Sequence, residues 1–101
     1  MKTAPLFVYG QLKSHRYQRR AFGRELSGAL AYLSGYTKVR IPREYGGFLT
    51  VRRHTSARVR GLVIRLTSAE LHRCDRYEKG YKRRMVRLSD GRKAWIYIWN
   101  I

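Results

Sequence analysis

The chain has 101 residues and 44% hydrophobic content, and its 23 Lys and Arg against six Asp and Glu give a net charge of +17. That length makes a single domain, residues 1–101, with one small core, and the hydrophobic content argues against disorder. The lone cysteine, Cys74, excludes an internal disulfide and a multi-cysteine zinc site, and no apolar run approaches the roughly 20 residues of a membrane helix. The expectation is a cytoplasmic, soluble protein with no membrane segment and no metal.

Ala4 to Tyr9 reads as a buried strand, with Pro5 near its start, where a missing donor is tolerated. Its apolar run is too short for a good signal peptide. Gly10 ends it, and Gln11 to Ser14 reads as a loop. Tyr17, Ala21, Phe22 and Leu26 are spaced for one face of a short helix over 17–26. Leu30 to Val39 reads as one or two bent strands, and Ile41-Pro42 opens a loop through Gly46-Gly47. Phe48 to Arg52 is a short strand, and Arg52 to Arg58 reads as a polar hairpin tip. Val59 to Leu66 is a strand with Val59, Gly61 and Val63 on one side and Leu62, Ile64 and Leu66 on the other.

Thr67-Ser68-Ala69-Glu70 is a capping box, in which Thr67 accepts an orphan amide and Glu70 reaches back. The helix it opens runs to about Glu78 and stops at Gly80. Met85 to Leu88 and Ala94 to Trp99 are strands joined by the turn Ser89-Asp90-Gly91-Arg92. The elements together predict an α+β fold: a small mixed β-barrel with one or two packed helices.

Leu71, Cys74 and Glu78 fall at i, i+3 and i+7 of that helix and share one face. A carboxyl on an apolar stripe faces inward, and burial raises its pKa toward the range useful for proton transfer at neutral pH. The alternative is a solvated helix end, with Asp75 paired to Lys79 and Glu78 to a nearby Arg. The second constellation is the strand end Val8-Tyr9-Gly10-Gln11-Leu12. Consecutive loop amides there can hold a carboxylate or an oxyanion, although a strand followed by a glycine turn is common for structural reasons alone.

Other residues point less far. His15, His54 and His72 share no ligand spacing, and Cys74 reads as a small core residue. Trp95, Tyr97 and Trp99 alternate with apolar residues, which suits a barrel wall better than a base-stacking platform. Of the 23 cations 17 are Arg, clustered at Arg16, Arg19, Arg20 and Arg24, at Arg52 and Arg53, and at Arg83, Arg84 and Arg87. Such a balance attracts nucleic acid or an acidic protein partner, or merely makes a solvated surface.

Phe7-Val8-Tyr9-Gly10-Gln11-Leu12-Lys13, Val59-Arg60-Gly61-Leu62-Val63-Ile64-Arg65-Leu66 and Asp75…Glu78…Tyr81…Arg83, followed by the Ala94–Trp99 strand, occur in the order seen in one family. The chain resembles the γ-glutamylcyclotransferase-like family, including its γ-glutamylamine cyclotransferase and AIG2-like branch. The resemblance implies a mixed barrel with a cavity between the glycine loop and the helix glutamate. It further implies release of 5-oxoproline and a free amine from a small γ-glutamyl compound, with Glu78 as acid and base, Tyr9, Gly10, Gln11, Leu12 and Tyr81 around the substrate, and no cofactor. Gln11 stands where that family usually has Ser or Thr, and Cys74 stands for its usual Leu. The alternative is a basic scaffold of the same fold, without catalysis, that binds nucleic acid or an acidic protein.

Overall fold

The computed structural model describes residues 2–99. Its elements are β1 (Ala4–Val8), α1 (His15–Phe22), β2 (Ala29–Arg40), β3 (Leu49–Leu66), α2 (Ser68–Tyr77), β4 (Tyr81–Arg87) and β5 (Lys93–Trp99), with single 3-10 turns at Gln11–Lys13 and Arg43–Tyr45. The strands form one curled sheet in the order β2-β3-β1-β5-β4. Only the β1–β5 pairing is parallel, so this is a mixed half-barrel carrying two helices.

Strand alternation divides the core between two layers. Leu6 and Val8 of β1, with Ile64 and Leu66 of β3, pack against Ala21 and Phe22 of α1 and Leu71 and Cys74 of α2. Phe7 and Tyr9 of β1 point the other way and join Ala31, Leu33, Val51, Val59, Val63 and Ile96 inside the curl. Val51 and Val59, from opposite halves of β3, reach the same cluster. Gly61 is required where β1 crosses: a Cβ there would meet the Val8 carbonyl at 2.5 Å and the Phe7 ring at 2.7 Å.

The curl is drawn in by hydrogen bonds outside the ladders. The Trp99 amide donates to Thr50 Oγ1 at 2.8 Å, the Tyr81 hydroxyl to the Leu49 carbonyl at 2.7 Å, and the Ser89 amide to the Tyr32 carbonyl at 2.8 Å. Thr50 is 1% exposed, so its hydroxyl spares an amide that would otherwise be buried without a partner.

Several expected boundaries move. Arg52 to Arg58 is not a hairpin tip, because β3 is one 18-residue strand and the reversal lies at residues 41–48. There Pro42 and the left-handed Gly46 and Gly47 make the turn, closed by the Ile41 amide on the Phe48 carbonyl at 2.7 Å. The polar stretch is an irregularity in the ladder: the register jumps from Ser34↔Arg58 to Tyr36↔Arg53, leaving residues 54–57 opposite Gly35. Gln11 to Lys13 is a 3-10 turn rather than open loop. β4 starts at Tyr81, four residues before the expected Met85, because it pairs along the whole of β5. Helix α1 ends at Phe22, where Gly23 takes a left-handed φ of 94° and its amide bonds the Arg19 carbonyl at 3.1 Å. Leu26 therefore lies beyond the helix.

Helix α2 follows its sequence closely. Thr67 Oγ1 accepts from the Glu70 amide at 3.2 Å, and Glu70 accepts from the Thr67 amide at 2.8 Å. Arg24 pairs with Glu70 from the neighbouring segment, and that guanidinium holds the Glu70 carboxyl below the usual carboxylate range. At the far end Gly80 has φ 90°, and a Cβ there would run into the Trp99 ring. Two penalties coincide at Gly80, backbone strain and a clash with an aromatic ring. Gly80→Ala is expected to cost about 2 kcal/mol or more, against about 1 kcal/mol for Thr67→Ala; urea unfolding of both variants checks the order.

Candidate active site

Glu78 is the residue immediately after α2, with its amide still bonded to the Cys74 carbonyl at 2.8 Å. The Leu71, Cys74, Glu78 stripe faces inward as its spacing requires, and Glu78 is 7% exposed. Among the described residues no cation and no hydrogen-bond donor reaches its carboxyl. Burial without a partner pushes its pKa up to about 7.

The carboxyl faces a cavity of about 260 Å³, and the walls of that cavity include Tyr9, Gly10, Gln11, Leu12, Tyr81 and Arg40. Glu78, Tyr9, Gly10, Gln11, Leu12 and Tyr81, the six residues singled out in the sequence, all line this one hollow, although about 70 residues separate the loop from the helix. The opposite wall is mostly apolar, from Phe7, Val8, Phe48 and Leu49. Gln11, Tyr17, Phe48, Glu78 and Tyr81 also line a second hollow of about 430 Å³, which adds Arg20, Tyr45, Tyr77, Lys79 and Trp99. The two spaces adjoin at Glu78, so a ligand can lie across the carboxyl with one end in each.

The loop is built by the 3-10 turn. The Lys13 amide bonds the Gly10 carbonyl at 3.1 Å and the Ser14 amide the Gln11 carbonyl at 2.9 Å. The Gln11 and Leu12 amides precede the first internal bond of that turn and have no intrahelical acceptor. Gly10 has a negative φ of −127°, and a Cβ there would make only an ordinary 3.8 Å contact with Leu49. The protein's own packing therefore does not demand glycine at this position. What the missing side chain provides is room in the cavity that Gly10 borders. Gln11 does not plug the space, but its buried Oε1 has no partner among the described residues.

A hydrogen-bonded chain stands behind the carboxyl. The Tyr9 hydroxyl donates to the Tyr97 carbonyl at 2.6 Å, and the Tyr97 hydroxyl donates to Asp75 Oδ1 at 2.6 Å. Arg83 grips Asp75 with both arms, at 2.9 and 3.1 Å, and lies 4.3 Å over the Trp95 ring. This replaces the expected Asp75–Lys79 pair: a planar guanidinium on the adjacent strand offers a two-point contact that a lysine one turn away cannot. Burial, together with the nearby Glu78, raises the Tyr9 pKa, and the same causes push Tyr81 up to about 12. Both phenols stay protonated and serve as donors.

Sequence reasoning missed Gln18. It is fully buried, donates from Nε2 to the Leu12 carbonyl at 2.9 Å, and accepts from the Leu26 amide at 2.7 Å. It thereby ties the glycine loop to α1, while Tyr17, also read as inward-facing, is partly buried against the same core and lines the cavity. Its spacing to Ala21 and Phe22, i+3 and i+4, was the available signal. Arg40 at the cavity wall carried none. His15, His54 and His72 are all exposed, and among the described residues no three His, Cys, Asp or Glu side chains gather as metal ligands. Cys74 is buried, and burial pushes its thiol up to about 12.

A curled mixed sheet with a lone buried carboxyl facing a strand-end loop defines the class of protein. The chain matches the model of the γ-glutamyl cyclotransferase, AIG2-like family over residues 6–101, and it belongs to that family. No curated protein sequence matches it. Its fold is similar to that of an Arabidopsis thaliana protein at TM-score 0.80 and 24% identity, covering 98% of this chain and 63% of the other. It is similar to a γ-glutamyl cyclotransferase at TM-score 0.79 and 16% identity, covering 98% and 68%. A Homo sapiens protein of uncharacterised function aligns at TM-score 0.79 and 18% identity, covering 100% and 69%. The chain thus spans about two thirds of the length of these structures.

Ionising Glu78 inside the fold is unfavourable, and this gives its stability effect a sign. With a pKa of about 7 against 4.5, the folded state is unpenalised below about pH 4.5 and loses stability as pH rises through 7. The displacement corresponds to at most about 3 kcal/mol. Glu78→Gln is therefore expected to raise the melting temperature at pH 8 and leave it nearly unchanged at pH 4. A lower melting temperature for the variant at pH 8 would mean that the carboxylate has a stabilising partner.

Proposed function

We propose that this chain is an enzyme of the γ-glutamyl cyclotransferase type, releasing 5-oxoproline and a free amine from a small γ-glutamyl compound. The observation that carries this reading is the unpartnered Glu78 carboxyl, with a pKa of about 7, facing the Tyr9–Leu12 loop across a cavity. A pKa near the working pH leaves comparable amounts of acid and base, which one group needs in order to take a proton and return it.

The chemistry follows in two steps. The substrate's α-amino nitrogen attacks its own γ-carbonyl carbon, and Glu78 takes the proton that this nitrogen sheds. The carbonyl oxygen becomes an oxyanion, for which the Gln11 and Leu12 amides are the available donors. The oxyanion then collapses, the bond from the γ-carbon to the departing nitrogen breaks, and Glu78 returns its proton to that nitrogen. No water is consumed, and the five-membered ring forms within one molecule, so positioning supplies much of the rate. The 260 Å³ hollow suits the γ-glutamyl moiety, and the adjoining space beyond Glu78 suits the departing amine. Tyr81, fixed on the Leu49 carbonyl, shapes the wall between them. Gln11 in place of a shorter hydroxyl residue narrows the inner hollow and sets which substrates fit.

Glu78→Gln is expected to lower 5-oxoproline release by about 10² to 10⁴-fold, with the circular dichroism spectrum unchanged; undiminished turnover would remove Glu78 from the chemistry. In the wild-type enzyme, kcat/KM should fall about tenfold per pH unit below about 7, as the base form is lost. A profile flat from pH 5 to 7 would contradict a base with that pKa. Gly10→Ala should fold normally and raise KM, because its methyl group takes cavity volume rather than clashing with protein.

A further inference from the structure

The acidic residues that offset the positive charge are not spread evenly over the fold. The antiparallel ribbon of β2 and β3 comprises residues 29–40 and 49–66 and carries Lys38, Arg40, Arg52, Arg53, Arg58, Arg60 and Arg65. Neither strand contains an Asp or Glu; the chain's six acids lie at Glu25, Glu44, Glu70, Asp75, Glu78 and Asp90. Among the described residues none of the ribbon's cations forms an ion pair, whereas Arg19, Arg24, Arg83 and Arg92 elsewhere all do. A cyclisation of a small substrate in a cavity gives no reason for this.

Two of the arginines sit over tyrosine rings. The Arg58 guanidinium lies 4.2 Å from the centroid of the Tyr32 ring, and Arg53 lies 5.4 Å from that of Tyr36. The register explains the geometry. Tyr32↔Arg60 and Ser34↔Arg58 are cross-strand pairs on one face, so Arg58 reaches diagonally back over Tyr32 with Arg60 beside it. Across the register jump Tyr36 and Arg53 are direct partners, but Tyr36 packs against the Val51 and Val59 cluster, so this second pair lies on the opposite face of the ribbon. Arg52, Arg53, Arg58 and Arg60 are all exposed. A guanidinium stacked on a ring keeps its N–H edges free for phosphate oxygens and its outer face free for a planar group, with little rotamer freedom left to lose.

We propose that this ribbon binds single-stranded nucleic acid on the face that carries Tyr32, with Arg58, Arg60 and Arg52 on the phosphates and the Tyr32-backed Arg58 guanidinium stacking on an unpaired base. Acid-free charge matches any polyanion. The ring-backed plane favours unpaired bases over a duplex, whose base faces are closed, and over a lipid surface, which has none. This site is separate from Glu78 and independent of the catalytic reading.

The test is fluorescence anisotropy with a labelled 20-nucleotide oligouridylate, titrated from 50 to 300 mM salt. The wild-type protein should bind, with log affinity falling linearly in log salt. Arg58→Ala with Arg60→Ala should reduce that slope by about 1.4, at about 0.7 per cation on a single strand. The charge-matched control, Arg16→Ala with Arg76→Ala on the helices, should leave the slope nearly unchanged. Tyr32→Leu keeps every charge and should weaken binding at fixed salt. Equal losses in the two double variants would show a non-specific effect of net charge and overturn the proposal. So would tighter binding to the matching duplex, binding to vesicles of anionic phospholipid but not to the oligonucleotide, or no binding at 50 mM salt. Circular dichroism of each variant separates loss of binding from loss of fold.

Discussion

The structure turns on a carboxyl group that is buried and left without a partner. Most buried carboxylates are stabilised by a guanidinium or by donated amides, and either would hold Glu78 ionised and tie it down. In a chain with 23 cations, keeping all of them away from one carboxyl is a constraint on the fold. It is met by placing Glu78 directly after α2, with its carboxyl in a mostly apolar cavity.

Other features serve the same constraint. Gly80 halts α2 where Trp99 needs the space, which sets how far the helix carries Glu78 toward the sheet. Gln18 anchors the glycine loop from behind, and the Tyr9–Tyr97–Asp75 chain links the loop strand to the helix. Thr50, Leu49 and Ser89 or their partners draw the open curl together without a closed ladder. The cavity is what remains between a loop and a helix end held in place by these contacts.

The ribbon follows a different logic. Its cations point away from the cavity chemistry, with Arg40 at the wall as the exception. A positive field around the molecule also concentrates anionic small molecules near the cavity mouth, where Arg20 and Lys79 stand.

What was legible in the amino-acid order was whatever depends on near neighbours. The Leu71–Cys74–Glu78 stripe, the Thr67–Glu70 box, the Gly80 stop and the alternation along Val59–Leu66 are set by helix and strand periods, and each stands as read. The glycine loop and the helix glutamate were readable as separate signals, joined only by a family resemblance. What the tertiary structure alone decided rests on contacts between residues distant along the chain. It turned the polar 52–58 stretch into the middle of a long bent strand, gave Asp75 to Arg83 rather than Lys79, and buried Gln18 beside Tyr17. Local order sets the period of an element and hence which side chains share a face; pairing register and packing set which face meets which, and that choice is made by the whole chain at once.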